Sequence, residues 1–247
     1  MSDRPKRQPI LVLQHAGCEP PGVYEDELLE RQIPFVRVLL EESEELPNWR
    51  AFAGIVAMGG AMSVNDEAGH PWLVPEKRLI AEAVAADVPY WGVCLGAQLL
   101  AAALGARVWR GPQAELGVLP VELTSAAARD PVFATAPGSF QTLQWHGETY
   151  ELPPGATQLA RSQDYEQQAF VLGRAYALQF HLEVDSGLAE EWMREPAFVD
   201  ELQLAQGEGA PAALLADVGV AERETVTLAR GLFARWLLDV VGYQEDA

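Results

Sequence analysis

Trp91-Gly92-Val93-Cys94-Leu95-Gly96-Ala97-Gln98 is the stretch on which the fold of this chain turns. Residues 88–92 are apolar and extended in character, and residues 97–104 are rich in alanine and leucine up to Gly105, a residue suited to ending a helix. The pattern predicts a strand that stops at Cys94 and restarts at once as a helix. Glycines on either side of Cys94 remove the side chains that would clash in so tight a turn. Such a turn lifts the thiol to the carboxyl end of a strand, beside a helix N-terminus; its serine version is the G-x-S-x-G nucleophile elbow. A helix N-terminus favours negative charge, which suits a thiolate. The plainer alternative is a structural cysteine buried at a βα turn.

Outward from this turn, Ile10–Gln14, Phe35–Leu40, Gly54–Met58 and Pro89–Val93 read as apolar strands. Tyr24–Arg31 reads as a helix, and so does Pro71–Ala86, with Leu73, Ile80 and Val84 on one face. Strands alternating with helices predict βαβ units and a parallel sheet, whose sites form at the carboxyl ends of strands. Met58-Gly59-Gly60-Ala61-Met62-Ser63 and Cys94 both fall at such ends. From Gly117 to Phe180 short strands dominate: Val118–Leu123, Ser139–Trp145, Thr157–Ser162, Ala169–Leu172 and Ala175–Phe180. They predict an antiparallel addition to the parallel sheet. After His181 the chain returns to helices. Gln206–Pro211 reads as a loop or short linker, and Ala221–Val241 as a final helix with Val226, Ala229, Phe233, Leu237 and Val240 on its core face and Gly242 as its stop.

Composition bounds the function. The 247 residues suffice for one large α/β domain with a well-buried core. Seventeen basic against 36 acidic side chains give a net charge of −19, which argues against nucleic acid or an anionic membrane as a partner. The acid is spread over Glu25–Glu30, Glu41–Glu45 and Glu190–Glu191, as on a solvated surface. No window approaches the ~18 uninterrupted apolar residues of a membrane-spanning helix. Residues 1–9 are polar and basic without an apolar core, which predicts a flexible N-terminus and not a secretory signal. Two cysteines, Cys18 and Cys94, make a poor disulfide framework and point to a reducing cytoplasm.

A cysteine nucleophile needs an acid or base within reach, and that group needs an orienting partner. Among His15, His70, His146 and His181, the last is the best candidate, because it follows an apolar strand and precedes Glu183 by two residues. Residues i and i+2 of an extended backbone project to one side, so the carboxylate can hold the imidazole and stabilise its cation. The Gly59-Gly60 turn exposes backbone N–H groups that can receive an oxyanion together with the amide of Leu95. No G-K-[ST] follows this turn and no G-x-G-x-x-G occurs, so neither a phosphate loop nor a dinucleotide site is expected. His and Cys spacing gives no metal-ligand pattern, and no cofactor is expected.

Gly92-x-Cys94-x-Gly96-x-Gln98, His181-x-Glu183 and the upstream Gly59-Gly60 turn together resemble the class I, triad-type glutamine amidotransferases. The likeness spans roughly residues 50–185. Within that family the chain is similar to stand-alone domains related to the glutaminase half of GMP synthase, on the strength of Gln144-Trp145-His146-Gly147-Glu148 followed by Leu152-Pro153 and Gly155. The resemblance implies an α/β fold: a flavodoxin-like three-layer sandwich with a mostly parallel central sheet, an antiparallel extension and C-terminal helices. It divides the chain into an amidotransferase domain at 10–187 and a helical extension at 188–247 packed on it.

The implied chemistry is attack by Cys94 on the γ-amide of glutamine through a γ-glutamyl thioester, with His181 as acid and base and Glu183 orienting it. Gly59, Gly60 and Leu95 would receive the oxyanion. Gln98, Trp145 and His146 would contact the substrate, the last two on a substrate-side loop. The chain has no P-loop or ATP-pyrophosphatase segment, so the resemblance implies either an ammonia-accepting synthetase subunit as partner or plain hydrolysis. A γ-glutamyl peptidase is the nearest alternative. A cysteine hydrolase of another substrate and a non-catalytic regulatory module of the same fold stand further off.

Overall fold

The computed structural model describes residues 8–42 and 45–244. Residues 1–7 of the expected flexible N-terminus, and Glu44 of the acidic run at 41–45, lie outside the described residues.

The parallel half is built as the apolar strands foretell. Strands β1 (Ile10–Gln14), β2 (Phe35–Leu39), β3 (Gly54–Ala57) and β4 (Tyr90–Val93) alternate with helices α1 (Val23–Glu30) and α2 (Leu73–Ala85), and α3 (Leu95–Ala103) follows β4. All pair in parallel, in the order β2-β1-β3-β4. Four further strands, β5 (Val108–Leu123), β6 (Ser139–Tyr150), β7 (Thr157–Arg161) and β8 (Ala169–Leu172), pair antiparallel. Strand β9 (Ala175–Leu178) joins the halves: it is parallel to β4 on one side and antiparallel to β8 on the other. The described residues thus form one nine-stranded sheet, β2-β1-β3-β4-β9-β8-β7-β5-β6.

Burial on both faces follows the period of two. Ile10 and Val12 of β1 join a core with Trp91, Phe233 and Trp236, whereas Leu11 and Leu13 join one with Ile55, Ile80 and Leu99. The first core lies under α1 and the C-terminal helix; the second lies under α2 and α3. Helices therefore cover both faces, giving a flavodoxin-like three-layer α/β sandwich.

Three elements differ by more than two residues from the expected bounds. Strand β5 begins at Val108, not Val118, because its first half, which carries little apolar pattern from Arg110 to Glu115, is paired by β6 across a register shift. Strand β6 runs on to Tyr150, so Gln144-Trp145-His146 is strand and not loop. The last helix, α6, spans Ala210–Arg235, beginning eleven residues before Ala221, with Pro211 in its first turn. Proline is tolerated there because that N–H has no intrahelical partner.

Helices α4 (Ser186–Trp192) and α5 (Pro196–Gln206) precede it, and Trp236–Val241 continues it as a π-helix, stopped by Gly242 in the left-handed conformation. Leu214 and Val218 of α6 pack with Leu116, Leu143, Trp145 and Trp192 over the β5–β6 ribbon. Ala229, Leu232 and Phe233, further along the same helix, pack on the parallel half. One helix thereby clamps both halves of the sheet, and it brings α4 and α5 to the sheet's carboxyl edge. No described helix is long and apolar enough to cross a membrane.

Candidate active site

Cys94 sits in the turn between β4 and α3 with φ +49° and ψ −104°, a conformation that side chains rarely adopt. The strain falls on the cysteine itself; neither flanking glycine has a positive φ. The glycines serve close approach instead. A methyl group on Gly96 would collide with the carbonyl oxygen of Ala57, and one on Gly92 would come within 2.6 Å of the Gly96 carbonyl oxygen. The turn is pinned by Cys94 N–H donating to Leu178 O at 2.8 Å and Gly96 N–H donating to Met58 O at 3.1 Å. That second bond ties the cysteine turn to the Gly59-Gly60 turn, and a methyl on Gly60 would come within 2.7 Å of Leu95 Cδ2. Gly60 and Leu95 are therefore neighbours, as a two-donor oxyanion pocket requires.

His181 follows β9 and is held to β6 by its own N–H donating to Leu143 O at 2.8 Å and by Thr142 Oγ1 donating to its carbonyl at 2.8 Å. Its Nδ1 lies 2.6 Å from Glu183 Oε1, with both side chains buried. Cys94 lines the same cleft as the imidazole and acts on it electrostatically. Burial opposes the imidazolium, but Glu183 and then Cys94 outweigh it and hold His181 well above its ordinary value. The expected sulfur, imidazole and carboxylate are thus brought together. Glu183 Oε2 has no hydrogen-bond partner among the described residues.

A cleft of about 280 Å³, suited to a ligand of amino-acid size, opens over Cys94 and His181. Gln98 lines the cleft and buried Gln179 supports it from behind: Gln98 Nε2 donates to Gln179 Oε1 at 3.2 Å, and Gln179 Nε2 donates to Cys94 Sγ at 3.7 Å. Gly60, Gln98, Trp145 and His146 all line the cleft. The Trp145 carbonyl lies 3.7 Å from Cys94 Sγ. The His146 ring is engaged elsewhere, bonding Glu115 at 3.0 Å and the Glu148 carbonyl at 3.0 Å. His15 lies beneath the Gly-Gly turn, its Nδ1 donating to Gly59 O at 3.0 Å and its Nε2 pairing with buried Glu76 at 2.9 Å. Burial works against the His15 imidazolium, but Glu76 raises its pKa.

Several residues in and around the cleft were not foreseen. Gln179 carries a visible signal: with His181 and Glu183 it forms a period-two polar row in an otherwise apolar run. Glu19, in the loop after β1, is 6% exposed, and burial above all pushes its carboxyl up to about 7. Arg110 comes from the first half of β5 and faces the cleft mouth. Trp192 of α4 meets the His181 ring edge-on at 5.2 Å and stacks on Phe198 of α5 at 5.1 Å, making an aromatic wall with Trp145. Glu201 of α5 steadies that wall by accepting from Trp145 Nε1 at 2.9 Å. Only the fold reveals that the C-terminal helices reach the cleft.

A family model for class-I glutamine amidotransferases matches residues 25–200. A glutamine amidotransferase-like protein of Salmonella typhimurium is 33% identical over 159 residues, covering 61% of this chain and 66% of that protein. A glutamine-hydrolysing GMP synthase of Thermomicrobium roseum is 32% identical over 164 residues, 64% of this chain but 29% of the synthase. The chain thus spans less than two thirds of either relative. The crystal structure of a glutamine amidotransferase from Thermotoga maritima is 33% identical and superposes with a TM-score of 0.85 over 97% of this chain and all of that one. With a family match over well over half its length and a shared fold over nearly all of it, this chain belongs to the class-I glutamine amidotransferases.

Proposed function

We propose that this protein is a cysteine hydrolase of the γ-amide of glutamine. The reading is supported above all by His181, bonded to Glu183 through Nδ1 and lining one cleft with Cys94. Cys94 Sγ attacks the amide carbon, and the oxyanion rests on the N–H groups of Leu95 and Gly60, with Gly59 shaping the turn. His181 gives a proton to the departing nitrogen, the C–N bond breaks, and a γ-glutamyl thioester remains. Water then attacks the thioester as His181 takes its proton, releasing glutamate. Glu183 fixes the imidazole and balances its cation. Gln98 and the backbone of Trp145 and His146 hold the amino-acid end. We take residues 10–187 as the domain that carries this chemistry and 188–247 as a helical extension on the same core. The setting proposed is the cytoplasm, and kinship with GMP synthase supports an ammonia-accepting synthetase as partner.

A second reading, cleavage of γ-glutamyl peptides, is favoured by Arg110. This cation lines the cleft and has no ion-pair partner among the described residues. It would suit a carboxylate beyond the scissile bond. The test is incubation of the isolated protein with glutamine and with γ-glutamyl dipeptides, reading ammonia, free amino acid and glutamate. Ammonia from glutamine supports the first reading, and release from dipeptides alone supports the second. Turnover of neither, with no labelling of Cys94 by a chloroketone analogue of glutamine, would leave a binding module.

A further inference from the structure

Glu19 has no assigned part in this chemistry, yet it is built into the cleft. Its side chain lines the cavity, is 6% exposed, and has no hydrogen-bond partner among the described residues. Its oxygens are not among the fully enclosed unpartnered atoms and so open to the cavity, where a carboxylate this little exposed is costly to ionise unless a ligand or water bonds it. Its neighbourhood says which ligand. A methyl group on Gly59 would collide with Glu19 Oε2 and lie 3.1 Å from His181 Cε1, so the carboxyl and the imidazole flank the same glycine. His181 Nδ1 is taken by Glu183, which leaves Nε2 for Cys94 and the departing nitrogen. Gln98, Glu148 and Ser63 are linked to one another by their own hydrogen bonds, and Glu19 is not part of that cluster.

We propose, resting on the hydrolase reading above, that Glu19 is the subsite for the leaving nitrogen: its carboxylate accepts an N–H from the ammonia or primary amine as the C–N bond breaks. The atoms balance without further reagents. The Sγ–C bond has formed, the C–N electron pair goes to nitrogen, and nitrogen takes its proton from His181 Nε2. Glu19 transfers no proton; it holds the nitrogen while the leaving group gains basicity. The substrate class is then an amide of ammonia or of a primary amine. Other groups acting on Glu19 are the carboxylates Glu183 and Glu41 and the imidazoles His181 and His15. They set how much of it is ionised, and burial keeps it titrating near neutrality.

The test compares glutamine with the γ-methyl ester of glutamate, which shares the acyl half but releases an alcohol. In Glu19→Gln and Glu19→Ala, kcat/KM for glutamine should fall about ten- to a hundredfold, the loss expected for a hydrogen bond to a charged group. For the ester it should fall less than about threefold. Labelling of Cys94 by the chloroketone analogue should keep its wild-type rate, which shows the variant site to be folded. Equal losses on amide and ester would overturn the proposal and assign Glu19 to the acyl half or to structure. No loss on either would overturn it as well. A wild-type protein inert toward both substrates would instead sink the hydrolase reading, and the Glu19 subsite with it.

Discussion

Glu183 Oε1 lies 2.6 Å from His181 Nδ1, two residues away along the same extended segment, and both side chains are buried. The i, i+2 spacing makes this contact local, so it does not depend on a distant loop finding its place. The register of that segment does depend on the rest of the fold: Leu143 and Thr142 of β6 hold the His181 backbone. Glu183→Gln keeps the shape and removes the charge that stabilises the imidazolium. We expect kcat to fall on the order of 10³–10⁴-fold, the loss typical of neutralising a triad carboxylate. Turnover of glutamine by the purified variant measures it, with circular dichroism to show an intact fold.

The stability of the protein should carry the signature of Glu19. Its folded pKa of about 7 lies above the ordinary 4.5, with burial as the main cause. The folded state therefore holds this proton more tightly than the unfolded one. The stability linked to it is complete below pH 4.5 and is lost as pH rises through about 7. Glu19→Gln escapes that loss. The variant should gain up to about 3 kcal/mol over the wild type at pH 8 and lose most of the advantage at pH 5. Thermal melts of the two proteins at both pH values check it.

Trp192 is buried, meets His181 edge-on at 5.2 Å and stacks on Phe198. Truncation to alanine removes a core side chain and the wall that shields the imidazole from water. We expect a loss of about 3–5 kcal/mol in stability. The variant should also lose activity at temperatures where it remains folded. Denaturant unfolding and turnover, measured side by side, separate the two effects.

Much of this architecture was legible in the residues, and what was not has physical causes. The β4–α3 turn is encoded by local chemistry, in glycines that permit backbone contact and an apolar run on either side, so its place in the fold could be read directly. The His181-x-Glu183 pair was legible for the same reason. The first half of β5 was not, because Arg110 to Ala114 is a largely exposed stretch beside a register shift, and its pairing comes from β6 and not from its own pattern. The start of α6 was hidden by Pro211, which usually marks a loop but is harmless in a first helical turn. Glu19 and the Trp192–Phe198 wall could not be foreseen, since each reaches the cleft only through packing of segments distant in the chain.

Arg110 distinguishes the two substrates. Arg110→Ala should raise KM for γ-glutamyl dipeptides about ten- to a hundredfold if its guanidinium pairs with a carboxylate beyond the scissile bond. KM for glutamine should then change little. Equal losses on both substrates would assign Arg110 to the carboxylate of the glutamyl half.

The most direct measurement is acid-quenched mass spectrometry of the protein during turnover of glutamine. A γ-glutamyl adduct should form on the peptide that holds Cys94, absent in Cys94→Ala and unaffected by Cys18→Ala. Cys18 should stay unmodified, because burial and then Glu19 push its thiol up to about 11 and leave it protonated at neutral pH. An adduct on Cys18, or undiminished ammonia release by Cys94→Ala, would rule out Cys94 as the nucleophile.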